Sequence, residues 1–449
     1  MAGEPLARQV LVAAVDMGYG HLRAAAALAS ALQVPLLRAD GPPLASPGET
    51  RLWNLFRAAY TGLSRASQGQ GLGRVMRWAL ESITEIPRLY PYRDLSSPNW
   101  SVRLLDVMLR AGLGKGVVAA CSNGKGVLVT TFFAPALAAA RVGLDKVVCV
   151  ITDSDIARAW VPAQPAQGRI LYCAPSHRAA RRLRAYGVPP EAIALTGFPL
   201  PLELLFEGQE ELQRQHLMER LARLDPEGTF RRQVRQELQQ VFPGLLDMQP
   251  SKPPHLTFAV GGAGAQASMA RQFLPSLAPL LRQKKLRLTL VAGLNPQVAQ
   301  VFAELLQALG LSDLQPEAVR ILLEPTWDRY WHSFNRTLAE TDILWTKPSE
   351  LTFYGALGIA LIFAPPVGVH EVLNRRWAME LGAGLKQEHP AAAGQWLSHW
   401  LEDGILAGVA WSGFRRLPRQ GTSRILRLVQ HVADSDSANL PGDVLYPGA

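Results

Sequence analysis

The sequence predicts an α/β protein built as two doubly wound parallel-sheet domains. Three observations predict it. Strand-length apolar runs alternate with helical runs in both halves of the chain, the pattern that crossover helices between parallel strands produce. At 449 residues the chain outgrows one ordinary core, so two domains of about 200 residues each are expected. Each half also opens with a strand that runs through a glycine-bearing turn into a helix.

In the first half, residues 9–15 read as a strand and 21–32 as an Ala/Leu helix. Further strands are expected at 126–131, 146–152 and 170–174, the last followed by a basic helix over 176–186. In the second half, strands are expected at 256–260, 286–292, 319–323, 343–346 and 360–364, with helices such as 269–281 and 296–309 between them. Proline clusters at 199–201 and 252–254 mark a hinge. The expected domains are therefore 1–199 and 253–415, with a helical linker or insertion at 200–252 and a C-terminal helix and tail at 416–449. The charged segment 203–240 reads either as an arm between the domains or as an extension of the first.

Hydrophobic residues make up 48% and charged residues 18%, a globular balance that excludes a disordered chain. The net charge of +9 favours anionic partners. No nucleic-acid-binding motif accompanies it, so no nucleic acid is expected as a partner. Cys121, Cys149 and Cys173 have no metal-ligand spacing and predict reduced thiols in a cytoplasmic compartment. No run reaches the roughly 18 apolar residues of a membrane span. Trp53, Phe56, Tyr60, Trp78, Tyr90, Tyr92 and Trp100 lie among arginines. They read either as core or as a surface peripheral to a membrane.

Three turns carry candidate chemistry. In the first, Asp16-Met17-Gly18-Tyr19-Gly20-His21, two glycines permit close backbone approach to a ligand. His21 opens the following helix as a candidate general base, or it merely caps that helix. The second, VGGAGAQ at 260–266, presents backbone N–H groups suited to a diphosphate and has no Walker lysine. The third, Thr152-Asp153-Ser154-Asp155, ends an apolar strand. Its carboxylates either act on a hydroxyl or cap the next helix. The stretch 345–384 adds a polar turn, Lys347-Pro348-Ser349-Glu350, and a second one with His370, Glu371 and Asn374. Open α/β sheets bind ligands at such strand ends.

Taken in order, these residues resemble glycosyltransferases of GT-B fold, nearest to family 28: diacylglycerol glycosyltransferases, monogalactosyldiacylglycerol synthases and the N-acetylglucosaminyltransferase acting on lipid-linked muramyl peptide. GYGHLRAA (18–25) resembles the family's N-terminal loop. TDSDIARAW (152–160) resembles a TD…H..W segment, and LTGFPLP (195–201) the close of the first domain. GGAGAQ resembles the diphosphate loop, KPSELT (347–352) resembles KPGGLT, and GVHEVLN (368–374) resembles GQE..N.

The resemblance implies two Rossmann-like domains facing across a cleft. It implies metal-independent, inverting transfer of a sugar from a nucleotide sugar, UDP-linked in the family, to an acceptor hydroxyl, lipid or lipid-linked in those relatives. His21 or Asp153 would act as base. The donor and its diphosphate would meet Gly18, Gly20, Gly262, Ala263, Gly264, Ala265, Gln266, Lys347, Ser349, Glu350, Leu351, Thr352, His370, Glu371 and Asn374. No cofactor is implied beyond the nucleotide-sugar co-substrate. The chain departs from the family pattern at three positions. Gly355 stands where the family holds ribose hydroxyls with a Glu, Ala157 replaces the His of the TD…H..W segment, and Ser349 replaces a glycine. Losing a charge-assisted hydrogen bond costs about 1.5–3 kcal/mol. These departures leave two alternatives open: a GT-B binding protein without transfer activity, and a nucleotide-sugar 2-epimerase.

Overall fold

The computed structural model describes residues 9–66, 86–122, 126–167, 169–259 and 267–434. Within them the chain forms two six-stranded, wholly parallel sheets. The first contains β1 (Val10–Ala14), β2 (Leu36–Arg38), β3 (Val127–Thr130), β4 (Val147–Val150), β5 (Ile170–Ala174) and β6 (Ile193–Leu195). The second contains β7 (His255–Ala259), β8 (Arg287–Gly293), β9 (Val319–Leu323), β10 (Ile343–Thr346), β11 (Ala360–Phe363) and β12 (Gly384–Lys386). The central strands are buried end to end, as in VLVT and VVCV. A sheet covered by helices on both faces demands such continuous apolar runs.

The order of strands determines where a ligand could sit. The first sheet runs β2-β1-β3-β4-β5-β6, so the chain winds outward in opposite directions from β1 and β3. The second runs β12-β11-β10-β7-β8-β9, the same reversal between β7 and β10. At such a point the helices leave to opposite faces and a crevice opens beyond the strands' carboxyl ends. The turns after β1 and β3 lie at the first reversal with the turn after β4 next to them, and the turn after β10 lies at the second.

The chain divides into two compact units. One comprises Met1–Pro201, Val367–Leu373 and Pro418–Ala449; the other comprises Leu202–Pro366 and Asn374–Leu417. The expected boundaries need three corrections. Residues 200–252 are neither linker nor arm, because Leu217, Leu221, Phe230, Leu238 and Phe242 are buried in the second unit's core with Phe258 and Trp345. The segment Val367–Leu373 belongs with the first unit although its neighbours in sequence belong with the second. The C-terminal helix, Gly421–Asp434, packs on the first unit's Tyr19–Leu32 helix and β3.

The aromatic-rich segment is divided between core and surface. Trp53 and Phe56 are core, whereas Tyr90, Tyr92 and Trp100 are 53%, 64% and 49% exposed. The Tyr60 side chain and Trp78 lie outside the described residues. The three cysteines are buried and free, and burial pushes the Cys121 thiol up to about 11. No described helix is long and apolar enough to cross a membrane.

Candidate functional site

His21 sits where the first sheet reverses. Gly18, at φ 124°, bends the chain into the helix Tyr19–Leu32, a backbone geometry that glycine adopts without strain. The imidazole then reaches the ends of the neighbouring strands. Its Nδ1 lies 2.8 Å from the Thr131 carbonyl oxygen and 3.1 Å from Thr152 Oγ1. A carbonyl oxygen can only accept, so the proton of the neutral ring sits on Nδ1 and Nε2 carries the lone pair. Thr131 Oγ1 donates in turn to the His21 carbonyl at 2.8 Å. Phe132 meets the ring edge-on at 4.9 Å between centroids, and Trp160 lies at 6.2 Å.

The turn before His21 is anchored by charge. Arg38 donates to Asp40 at 2.8 Å and lies 3.4 Å from Asp16, while Arg57 also pairs with Asp40. Burial works against the Asp40 carboxylate, but the hydrogen bond and charge of Arg38, with the charge of Arg57, outweigh it and hold the carboxyl below its usual range. The two carboxylates of the third turn differ in kind. Asp155 is buried and accepts from Arg182 at 2.8 and 3.0 Å and from Arg178 at 3.1 Å, so it holds the helix His177–Ala185 against the turn. Asp153 is half-buried and lines a small cavity together with Phe56, Leu105, Met108, Phe133, Ala157, Trp160 and His370.

At the second reversal, Thr346 pairs in register with Ala259, and its Oγ1 donates to the Ala259 carbonyl at 3.3 Å. The diphosphate loop, with Gly262, Ala263, Gly264, Ala265 and Gln266, lies outside the described residues. Beyond β10, Lys347 and Ser349 are half-buried, whereas Glu350, Leu351 and Thr352 are buried. A 3₁₀ helix, Glu350–Leu357, follows.

Gly355 lies inside that 3₁₀ helix, and its surroundings contradict the reading of an emptied ligand position. A Cβ there would stand 3.0 Å from Leu417 Cδ1, 3.1 Å from Leu361 Cδ1 and 3.5 Å from the Ala383 carbonyl. The direction in which a side chain would grow is packed core. Gly413, in the helix Ile405–Arg416, approaches from the other side, where its own Cβ would come within 2.6 Å of the Gly355 carbonyl. Gly355 is thus half of a glycine-to-glycine contact between two backbones.

The remaining predicted residues separate. Glu371 is buried and its Oε2 accepts from the Val367 amide at 2.6 Å, closing the turn that starts the helix Val369–Glu380. His370 folds back over Gly368, where a Cβ would stand 2.6 Å from its ring. Asn374 is fully buried. Gly18, Gly20, His21, Asp153, His370 and Glu371 fall in the first unit, and Lys347, Ser349, Glu350, Leu351, Thr352 and Asn374 in the second. Sequence reasoning missed the role of Thr131 and Thr152 in holding His21. The available signal was their position just past the strands VLVT and VVCV, Thr131 one residue beyond and Thr152 two.

No curated protein matches the chain. A family model described as a domain of unknown function, DUF6938, matches residues 247–407. Among solved structures, MurG of Acinetobacter baumannii is similar, with a TM-score of 0.48 and 15% identity over 94% of this chain and 99% of that one. A putative UDP-N-acetylglucosamine 2-epimerase of Listeria monocytogenes gives a TM-score of 0.46 and 13% identity over 75% and 82%. The glycosyltransferase SnogD of Streptomyces nogalater gives 0.43 and 14% over 94% and 99%. Superpositions this loose carry no information about the site.

Proposed function

We propose that the protein transfers a sugar from a nucleotide sugar, with a uridine diphosphate leaving group, to an acceptor hydroxyl with inversion. The observation that carries the reading is His21 at the first sheet's reversal, its Nδ1 proton directed at the Thr131 carbonyl. That tautomer leaves Nε2 as the basic nitrogen, and a base there removes the acceptor's proton as the new bond forms. Asp153, beyond the adjacent strand, is the second candidate base. The ordered match of GYGH, TDSD, KPSELT and GVHEVLN to glycosyltransferase motifs supports the assignment of the donor to the second sheet's reversal. There Lys347 and backbone N–H groups offset the charge on the departing diphosphate without a metal.

A membrane-peripheral acceptor surface is supported by the outward face of the helix Trp100–Arg110. Trp100, Arg103, Val107 and Arg110 are exposed on it, a mixture of apolar and cationic groups suited to an anionic interface.

A melting-shift screen tests the donor assignment. A nucleoside diphosphate at a hundredfold excess over its dissociation constant stabilises a protein by about 2.7 kcal/mol. We expect uridine diphosphate or a nucleotide sugar to raise the melting temperature accordingly. No shift with any nucleoside diphosphate or nucleotide sugar overturns the reading, and epimerised sugar nucleotide formed without an acceptor redirects it to isomerisation.

A further inference from the structure

We propose that the surface made by Tyr90, Tyr92 and the outward row of the helix His177–Ala185 docks an acidic segment of a partner protein. Sugar transfer as read above uses none of these residues, so the docking surface stands apart from it.

The helix sorts its charged groups by face. Arg178 and Arg182 turn inward to the buried Asp155, at 3.1 and 2.8 Å. His177, Arg181 and Arg184 are exposed, and their spacing of four and three residues sets them in one row on the outside. The irregular segment 88–94 lies against this row. Just beyond it the Leu95 amide donates to the Ala185 carbonyl at 2.9 Å, and Arg158 donates to the Ser96 carbonyl at 2.6 and 3.2 Å, so the backbone next to the tyrosines is tied down. Tyr92 Oη donates to Tyr90 Oη at 3.5 Å, with ring centroids 4.9 Å apart and planes at 66°. Arg181 donates to the same Tyr90 oxygen, which joins segment and helix into one surface. The Tyr92 hydrogen bond, with the charges of Arg181 and Arg178, holds the Tyr90 phenol below its ordinary pKa, as positive potential at a phenol does.

The charge of this surface is one-sided. Arg88, Arg93, Arg181 and Arg184 are exposed against one exposed carboxylate, Asp94, which accepts from the Ser96 amide at 2.8 Å. Among the described residues Arg88 and Arg93 have no ion-pair partner. An occupant therefore brings negative charge. The kind of side chain points to protein. Tyrosine and arginine are enriched at protein interfaces and among their hot spots, whereas lysine is depleted, and here the exposed rings are tyrosines and the exposed cations arginines. A bilayer is disfavoured because segment 88–94 exposes no Leu, Ile, Val, Phe or Trp; its one leucine, Leu89, is buried, whereas interfacial helices insert such groups. Single-stranded nucleic acid is disfavoured because successive bases stack on open ring faces, and the two tyrosines meet each other edge to face. An acidic peptide suits both features: its carboxylates pair with the arginine forks and its apolar side chains pack on the rings.

The test uses the full chain and, as probe, a fluorescein-labelled dodecapeptide of repeated Glu-Glu-Leu. The wild type is expected to bind it. Arg181→Glu, Arg93→Glu and Tyr92→Ala are each expected to bind about tenfold more weakly with an unchanged melting temperature. Lys115→Glu, an equal charge change at another exposed position, is expected to bind as the wild type does. Phosphatidylglycerol vesicles and a single-stranded oligonucleotide separate the other polyanions, and Tyr92→Ala is expected to leave their binding unchanged. Should Arg181→Glu fail to fold, Arg93→Glu, on the irregular segment, decides in its place. No peptide binding by the wild type overturns the inference. Equal weakening by Lys115→Glu, or a loss in Tyr92→Ala that falls on the vesicles or the oligonucleotide and spares the peptide, overturns it as well.

Discussion

The two sheets use one topological device and load it differently. At the first sheet's reversal the chain places side chains: His21 tied to Thr131 and Thr152, rings of Phe132 and Trp160 around it, and Asp153 beyond the next strand. At the second, the turn after β10 buries Glu350, Leu351 and Thr352 and follows them with a tight 3₁₀ helix whose Gly355 touches another backbone. The first reversal is built to present a protonatable group. The second is built from close backbone packing, with Lys347 and Ser349 as its more accessible polar groups. Equal topology therefore does not mean equal chemistry, and function is set by what each turn places at the strand ends.

The largest expected effect tests whether position 355 belongs to packing or to a ligand. Gly355→Glu drives a carboxylate between Leu361 and Leu417, and an uncompensated buried charge costs about 3–5 kcal/mol. Denaturant melts should show that loss with no gain in uridine diphosphate affinity. Stability near wild type with tighter nucleotide binding would restore the reading of an emptied ribose site. Gly413→Ala should cost more than Gly355→Ala, because its methyl meets a carbonyl at 2.6 Å whereas the other meets the movable tips of two leucines.

A smaller effect separates the units by pH. In the second unit His255 is buried, and its Nδ1 faces the Glu340 carbonyl and its Nε2 the Thr289 hydroxyl. Burial, with the repulsion of Arg287, lowers its pKa to about 4 from the ordinary 6.5. Above 6.5 the ring is neutral folded or unfolded and its contribution is complete. As the pH falls from 6.5 towards about 4 the unfolded chain takes up a proton that the fold refuses, and stability drops by up to about 3 kcal/mol. The Asp40 carboxyl in the first unit is lowered too, but from the ordinary carboxylate value, so its contribution is complete above the ordinary carboxylate range and is lost only below it. Urea melts at pH 7 and 4.5 should show the His255 loss, and His255→Gln should flatten it. An unchanged slope in that variant would contradict the assignment.

Much of this contrast was legible in the sequence. The long apolar strands of both sheets were, because a run such as VVCV has no other use in a doubly wound fold. The short strands Leu36–Arg38, Ile193–Leu195 and Gly384–Lys386 were not. They have three residues each and lie at sheet edges, paired on one side, and so carry no pattern of their own. The helix Glu210–Leu224 was mistaken for part of a linker because its charged face dominates the composition. Leu217, Leu221 and Leu224, buried on one stripe, are the helical spacing that places it in a core. His21 was legible from its glycines, whereas its hold on Thr131 and Thr152 depends on contacts more than a hundred residues apart in the chain. Gly355 was misread because a motif match says which residue is absent and nothing about what fills the space.

The claim that the two reversals divide the work, base at the first and donor at the second, is tested most directly by one measurement. The melting shift produced by uridine diphosphate is compared in the wild type, His21→Ala and Lys347→Ala. The account predicts that His21→Ala keeps the wild-type shift while Lys347→Ala loses most of it. A shift that disappears with His21 and survives without Lys347 would contradict it.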